Sequence, residues 1–182
     1  MELLNKDNLA QLLPATAAEL RESALTLPDM LDAYEVVNER MLKDIDLHMD
    51  LLAVDARWNV DLFNHGVRDR REASGAPGEQ EDGFCRIATR VAYRDGTLSI
   101  QWLRNRYVKQ KSGPSKVYST YIRKGAGFSY PMACFKREPK WVQDLVEVTE
   151  QRNALIRERV ASLATLRREL RKIERRFRDW DI

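Results

Sequence analysis

The residues from Leu98 to Tyr130 combine positive charge with closely spaced aromatic side chains. This segment reads LSIQWLRNRYVKQKSGPSKVYSTYIRKGAGFSY, holds seven Lys or Arg residues and contains no acid. Arg forms paired hydrogen bonds with phosphate oxygens, whereas Lys supplies a compact positive charge. The composition therefore predicts an anionic partner, and phosphate groups are its best chemical match.

Three arginines lie just upstream, in the sequence RIATRVAYR. Because side chains alternate along a β-strand, Arg86, Arg90 and Arg94 would project from one face at intervals of about 13 Å. The alternative is a solvated sheet face whose arginines pair with acids on the helices. The candidate nucleic-acid-binding residues are Arg86, Arg90, Arg94, Arg104, Asn105, Arg106, Lys109, Lys111, Lys116, Tyr121, Arg123 and Lys124.

Two members of this set have other possible roles. Asn105 can pair with an adenine edge, but a turn or bulge role is an equal alternative. Tyr121 belongs to a group of aromatics that could stack on unpaired bases, although most of these are expected in the core. Trp102 follows Leu98 and Ile100 in strand alternation, which places it in the core.

The loop KQKSGPSK is basic and rich in hydroxyl side chains that bond phosphate.

The signs of charge are separated along the chain, although the net charge is only +3. Residues 1–70 hold 7 basic and 14 acidic side chains, whereas residues 84–137 hold 12 basic side chains and one acid, Asp95. Solubility alone does not require this separation. It favours an anionic partner for the middle segment.

The elements that would position these residues form one predicted domain, 1–182. Its parts are an N-terminal amphipathic segment 1–28, a long acidic helix 29–66, a linker 71–83, a basic β-meander 84–137 and a C-terminal helix 139–180. In the acidic helix, spacings of three and four predict a buried stripe of Tyr34, Val37, Met41, Ile45, His48 and Leu52, with Gly66 near the helix end.

The fold class predicted is α+β, with a long antiparallel helical hairpin and an inserted three-stranded antiparallel β-meander. Asp95-Gly96 predicts a tight hairpin turn between the first two strands, and the KQKSGPSK loop precedes the third. A coiled-coil-like seam is predicted at Leu163, Leu166, Leu170, Ile173, Phe177 and Trp180, and a dimer could use the same surface.

Catalysis finds little support in the residue types. The two histidines, His48 and His65, are seventeen residues apart, and no metal-binding or phosphate-cradling motif occurs. Cys85 and Cys134 are expected to be buried thiols, and two cysteines predict no disulfide framework. We therefore expect no enzyme activity, metal or cofactor. Without a long apolar run or a secretory leader, a cytoplasmic protein is expected.

A family resemblance adds to this interpretation. The motifs WLRNRYV, YSTYIRKG and FSY, followed by a long Arg-rich helix, resemble the MobI-type conjugative transfer proteins of integrative elements and large plasmids. The likeness spans about Tyr93 to Arg176. The positions that match are Trp102, Arg104, Asn105, Arg106, Tyr121, Arg123 and Lys124.

The resemblance implies a DNA-binding accessory factor that recognises double-stranded origin-of-transfer DNA and assists a separate relaxase. Two alternatives remain open at the level of sequence. One is a coiled-coil adaptor or structural protein whose basic sheet binds an acidic protein. The other is an RNA-binding protein that uses the aromatic sheet.

Overall fold

The computed structural model describes residues 27–73, 84–94 and 96–178. Two long helices and a three-stranded antiparallel sheet confirm the predicted α+β class. The predicted segment 1–28 and linker 71–83 lie mostly outside the described residues. The elements are α1 (Leu27–Ala73), β1 (Ile87–Arg94), β2 (Thr97–Val108), β3 (Lys116–Tyr121), a short 3-10 helix (Met132–Phe135) and α2 (Lys140–Arg178).

The chain divides into two compact units. One comprises Met1–Leu47 with Ala164–Ile182, and the other, His48–Leu163, contains the whole sheet. The single domain expected from the sequence stays a prediction. Neither of the long helices described is apolar enough along its length to cross a membrane.

The sheet has the order β1-β2-β3, and both neighbouring pairs are antiparallel. Gly96 has a φ of 69° in the turn between β1 and β2, where Arg94 pairs with Thr97. Such tight turns require positive φ, which glycine adopts without steric cost. The Asp-Gly signal therefore located this hairpin.

One face of the sheet contributes to the core of the His48–Leu163 unit. Leu98, Ile100 and Trp102 alternate along β2 and are buried, as the sequence predicted for Trp102. The Trp102 ring makes edge contacts with Phe63 at 5.1 Å and Phe135 at 5.5 Å between ring centroids. Such T-shaped pairs are favoured by the charge distribution of aromatic rings. This packing fixes which face of the sheet remains open.

Helix α1 continues seven residues past Gly66, so the predicted end there was wrong. A Cβ atom at Gly66 would lie 2.9 Å from Leu145 Cδ2 of α2. Glycine therefore serves close helix packing at this position. Phe63 and Val67, one helical turn apart and on either side of Gly66 in sequence, are both buried. The packed face of the helix therefore continues past Gly66.

The buried stripe of α1 differs from the predicted one. Tyr34, Met41 and His48 are exposed, whereas Ile45 is buried as predicted. Met49 is buried in place of the predicted His48. Because neighbouring residues on a helix point about 100° apart, the observed buried face is rotated from the predicted one beyond this position. The buried residues along this helix are Asn38, Ile45, Met49, Ala53, Ala56, Asn59, Phe63 and Val67.

Within the His48–Leu163 unit, α1 and α2 contact each other in opposite directions. Asn59 Nδ2 donates to Asn153 Oδ1 at 2.9 Å, and Asp55 forms an ion pair with Arg152 at 2.6 Å. A buried amide pair of this kind favours one register over others. The helical hairpin along its full length stays a prediction.

The coiled-coil seam is only partly reflected in burial. Leu170 is 5% exposed, whereas Leu166 and Ile173 are 44% and 41% exposed. Asp46 of α1 and Arg167 of α2 form an ion pair within the unit of Met1–Leu47 and Ala164–Ile182. The seam as a coiled-coil contact also stays a prediction.

Candidate nucleic-acid interface

The sheet face opposite Trp102 is open, and we call it the outer face. By strand alternation and register it carries Arg90, Arg94, Gln101, Leu103, Asn105, Ser119 and Tyr121. Arg90 and Arg94 are exposed, and so is Arg86 just before β1. The three arginines predicted to share a face are therefore all accessible from solvent.

Arg90 is oriented by its neighbours on the outer face. Its Nη2 donates to Tyr121 Oη at 2.5 Å and to Gln101 Oε1 at 3.5 Å. The guanidinium carbon also lies 5.4 Å from the centroid of the Tyr121 ring. Hydrogen bonding and a cation–π contact together hold the charge over the middle of the sheet. Two predicted site residues from different strands are thus brought together.

Asn105 is held by a cross-strand hydrogen bond. Its Oδ1 accepts from Ser119 Oγ at 2.7 Å, and the two residues are directly paired between β2 and β3. Its neighbours Arg104 and Arg106 project to the opposite face. The three successive residues predicted to bind nucleic acid therefore do not share one surface.

Arg104 makes contacts inside the fold. Its Nη2 donates to the Cys134 carbonyl at 2.7 Å, and its Nε lies 3.5 Å from Glu138 Oε1. The Glu138 carboxylate is buried, so this cation compensates its charge. The structure thus separates Arg104 from the arginine row and gives it contacts that hold β2 to the 3-10 helix.

The remaining predicted cations lie beyond the centre of the sheet. Lys109 and Lys111 are exposed in the connection of residues 109–115, where Gly113 has a φ of 97°. Lys116 begins β3, and its Nζ lies 5.2 Å from the Tyr118 ring centroid. Arg123 is exposed after β3, and Lys124 Nζ donates to the Gly127 carbonyl.

A cleft beside the sheet was not predicted from the sequence. It has a volume of about 450 Å³ and lies between the last turns of α1 and the strands. Burial raises the pKa of the Cys85 thiol in its wall to about 11, so this group is neutral at physiological pH. The lining residues are Asp61, Phe63, Asn64, Val67, Arg68, Arg71, Cys85, Ile87, Asn105 and Tyr107.

The signal that could have located this cleft is the sequence RDRR at residues 68–71. It places three arginines at the end of an otherwise acidic helix. Residues 67–70 fell between the predicted helix 29–66 and the predicted linker 71–83. Once α1 is known to reach Ala73, Arg68 and Arg71 belong to the same helix as Phe63 and face the strands.

Glu150 is the buried carboxylate that ties α2 to the sheet. Its oxygens accept from Trp102 Nε1 at 2.6 Å and from the Tyr130 backbone N–H at 2.8 Å. Arg157 donates to both oxygens, at 2.8 and 3.1 Å, and its Nε donates to the Ile100 carbonyl at 3.1 Å. This network positions β2 and so fixes the outer face.

Among residues 27–73, 84–94 and 96–178, no three His, Cys, Asp or Glu side chains converge in a way that could hold a metal ion. Cys85 is buried and Cys134 partly buried, and both are free thiols.

The fold and the surface define an α+β protein with a basic, aromatic sheet face. A family model described as MobI protein matches residues 52–171, which is more than half of the chain. The chain therefore belongs to the MobI family. The match extends the predicted resemblance, which began at Tyr93, back into α1. Comparison with curated proteins gave no match, and neither did comparison with solved structures.

Membership of this family indicates an accessory protein of conjugative mobilisation, encoded by mobile genetic elements.

Proposed function

We propose that the protein binds double-stranded DNA at the origin of transfer and helps a separate relaxase engage that DNA. In this proposal it acts in the cytoplasm, without catalysis or a cofactor of its own. The family supports the setting in conjugative transfer, and the surface chemistry supports the ligand.

The observation that carries the proposal is the row of exposed arginines on the outer face. Arg86, Arg90 and Arg94 follow one side of β1 and its approach. Their spacing of about 13 Å along the strand lets each contact a different part of a phosphate backbone. Arg90 is already oriented by Tyr121, so less side-chain freedom is lost when it binds.

The test is a duplex-binding measurement with the triple variant Arg86→Ala, Arg90→Ala, Arg94→Ala. Each charge-assisted phosphate contact contributes about 1.5–3 kcal/mol, so the combined loss from three contacts should be at least about 4.5 kcal/mol, or roughly 1,000-fold in Kd. The probe is duplex origin DNA of the element that carries the gene, titrated in a mobility-shift assay with scrambled duplex as competitor.

The matched control removes three exposed arginines from α2, as Arg171→Ala, Arg175→Ala, Arg176→Ala. Both variants lose three positive charges, but the control leaves the outer face intact. We expect a much smaller loss of affinity from the control. Unchanged affinity in a folded outer-face variant would exclude this surface from the DNA interface. Equal losses of affinity in the outer-face variant and the α2 control would mean that the outer face contributes only general electrostatic attraction.

The contact with the relaxase is assigned to an exposed apolar stripe on α1. Leu51, Val54, Trp58 and Leu62 are 48–62% exposed and follow one side of the helix at spacings of three and four. The Arg152 guanidinium lies 4.6 Å from the Trp58 ring centroid and leaves about half of that side chain accessible. Contiguous exposed apolar groups on one helix face are typical of protein contact sites.

A pull-down with the purified relaxase of the same element tests this contact. Trp58→Glu should abolish binding, because it places a charge at the centre of the stripe. Arg57→Glu, on the neighbouring exposed position, is the control and should retain binding. Full retention by Trp58→Glu would exclude the stripe.

A further inference from the structure

The cleft beside the sheet combines apolar, amide, aromatic and charged groups within one small volume. Its floor is apolar, with Phe63, Val67 and Ile87. Asn64 and Asn105 supply amide groups, which can donate and accept hydrogen bonds. A volume of about 450 Å³ lies within the range of small-molecule binding sites, about 300–1,000 Å³.

The mouth of the cleft has an aromatic wall. Tyr107 is 44% exposed, and its ring meets Phe84 edge to face, with 5.0 Å between the centroids. The Arg71 guanidinium carbon lies 5.6 Å from the Phe84 centroid. Because nearly half of the Tyr107 side chain is exposed, the ring offers surface on which a flat ligand can stack.

Among the described residues that line the cleft, the charges are mixed but positive in balance. Arg68 and Arg71 line it from α1, and Asp61 is the one acid among these described residues. Arginine favours phosphate groups, whereas a carboxylate can accept hydrogen bonds from the amino groups of a base. Apolar floor, amides, aromatic wall and arginines together fit a nucleotide better than an isolated anion.

We propose that this cleft binds an unpaired nucleobase of single-stranded DNA. The base stacks on Tyr107, Asn64 and Asn105 bond its edge, and Arg68 and Arg71 contact the adjoining phosphates. A base within a duplex cannot enter, because both of its faces are covered by neighbouring pairs. The inference rests on the proposed function and adds a second form of DNA to it.

Asn105 links the cleft to the outer face. Its carbonyl oxygen is held by Ser119 on the outer face, while Asn105 also contributes to the cleft lining. A DNA strand that separates from a duplex on the outer face would therefore have to pass only one or two residues of the sheet to reach the cleft. This places duplex and single-strand contacts on adjoining parts of one unit.

The first test compares the affinity of Tyr107→Leu for two probes from the origin DNA, a 20-nucleotide single strand and the corresponding blunt duplex. Stacking on an aromatic side chain is worth about 1–3 kcal/mol per base, which predicts a loss of at least fivefold for the single strand. Duplex affinity should fall by a smaller factor, because Tyr107 lies at the end of β2 that is remote from Arg94. An abasic strand of equal length should bind the parent protein more weakly than the natural strand.

Tyr118→Leu is the matched control. Tyr118 is 50% exposed on β3 and does not line the cleft. It should retain single-strand binding. A strand carrying 2-aminopurine gives a second readout, since its fluorescence should be quenched by stacking in the parent protein and in Tyr118→Leu but not in Tyr107→Leu.

The outcomes separate this inference from the proposed function. Duplex binding with no measurable single-strand binding overturns the cleft assignment and leaves the proposed function intact. The cleft assignment also fails if Tyr107→Leu weakens both probes equally, or if Tyr118→Leu causes the same loss. Tighter binding of RNA of the same sequence would overturn the assignment to DNA. Binding of neither DNA form overturns both proposals.

Discussion

Glu150 shows at the residue scale how a buried charge supports an exposed surface. The carboxylate accepts hydrogen bonds from Trp102, Tyr130 and Arg157 and is 3% exposed. Arg157 also bonds the carbonyl of Ile100 in β2. Removing the carboxylate would leave a guanidinium and an indole N–H without their acceptor in a poorly solvated place.

We therefore expect Glu150→Ala to lower the free energy of unfolding by about 3–5 kcal/mol, the range for breaking one side of a buried ion pair. Urea denaturation followed by Trp fluorescence measures the change. Glu147→Ala, an exposed position one turn earlier on α2, should change it by less than about 0.5 kcal/mol. Equal stability of the two variants would mean that Glu150 does not organise the fold.

Cys85 gives a prediction that depends on pH. Burial raises the pKa of its thiol from an ordinary value of 9.0 to about 11. The unfolded chain therefore loses this proton before the folded chain does. The contribution to stability is complete below pH 9 and declines as the pH rises towards 11, by at most about 2.7 kcal/mol.

The measurement is urea denaturation at pH 8 and pH 10.5. The parent protein should lose more stability between these pH values than Cys85→Ala, which lacks the thiol. Cys134→Ala retains Cys85 and should behave like the parent. The same pH dependence in Cys85→Ala and the parent would assign the loss to other groups.

Single residues were predictable where their own strand determined their position. Trp102 was placed in the core because it alternates with Leu98 and Ile100, and burial confirms this. The internal contacts of Arg104 were not predictable, because Cys134 in the 3-10 helix and Glu138 just after it lie thirty or more residues along the chain. Strand alternation identifies a face, but it does not identify what packs against that face.

At the scale of elements, the strands of the first hairpin and the bounds of α2 were predicted better than the end and the buried face of α1. Alternation and the Asp-Gly turn locate β1 and β2 independently of the rest of the molecule. Helix α1 carries apolar residues on two sides, one with Met49, Ala56 and Phe63 and another with Leu51 and Trp58. Helical periodicity cannot decide which side packs on a partner.

Substitutions at Gly66 test the close packing of α1 against α2. In Gly66→Leu, a large side chain would meet Leu145 across the helix interface, and overpacking of this kind costs about 1–3 kcal/mol. In Gly66→Ala, the Cβ meets only the tip of the Leu145 side chain, and the helix gains about 1 kcal/mol in propensity. We expect Gly66→Leu to be clearly less stable than Gly66→Ala in thermal denaturation.

Leu145→Ala removes the side chain that faces Gly66 and supplies the control. Combined with Gly66→Leu, it should recover part of the stability, because the volume gained on α1 is removed from α2. Effects that simply add would show that Gly66 and Leu145 do not touch, and the close packing inferred for α1 and α2 would be wrong.

For the whole molecule, the separation of charge in the sequence was the most informative signal. It placed 12 basic residues against one acid between Phe84 and Arg137, and the structure puts this segment in and around an open sheet. The cleft was not predictable in this way. Its walls come from residues 61–71 of α1 and from residues 85–107 in and just before the strands, and only the fold brings Arg68, Cys85 and Tyr107 together.

Changes to residues 109–115 test how much the positive charge outside the sheet contributes to DNA binding. Val108 pairs with Lys116, so a two-residue Asn-Gly turn can replace the seven residues between them without changing the register of β2 and β3. The shortened protein should fold normally and bind duplex DNA more weakly. Without Lys109 and Lys111, the slope of log affinity against log salt concentration should become shallower by about 0.9 for each phosphate that is no longer neutralised.

A variant with the full-length connection and Lys109→Gln, Lys111→Gln separates charge from length. Both variants lack the same two charges, so equal slopes would assign the effect to the lysines. A flexible basic connection also loses conformational freedom when it binds, which reduces its net contribution. The shortened protein can therefore lose less affinity than its slope suggests. Parent and variants with the same affinity and slope across the salt series would mean that residues 109–115 only connect the strands.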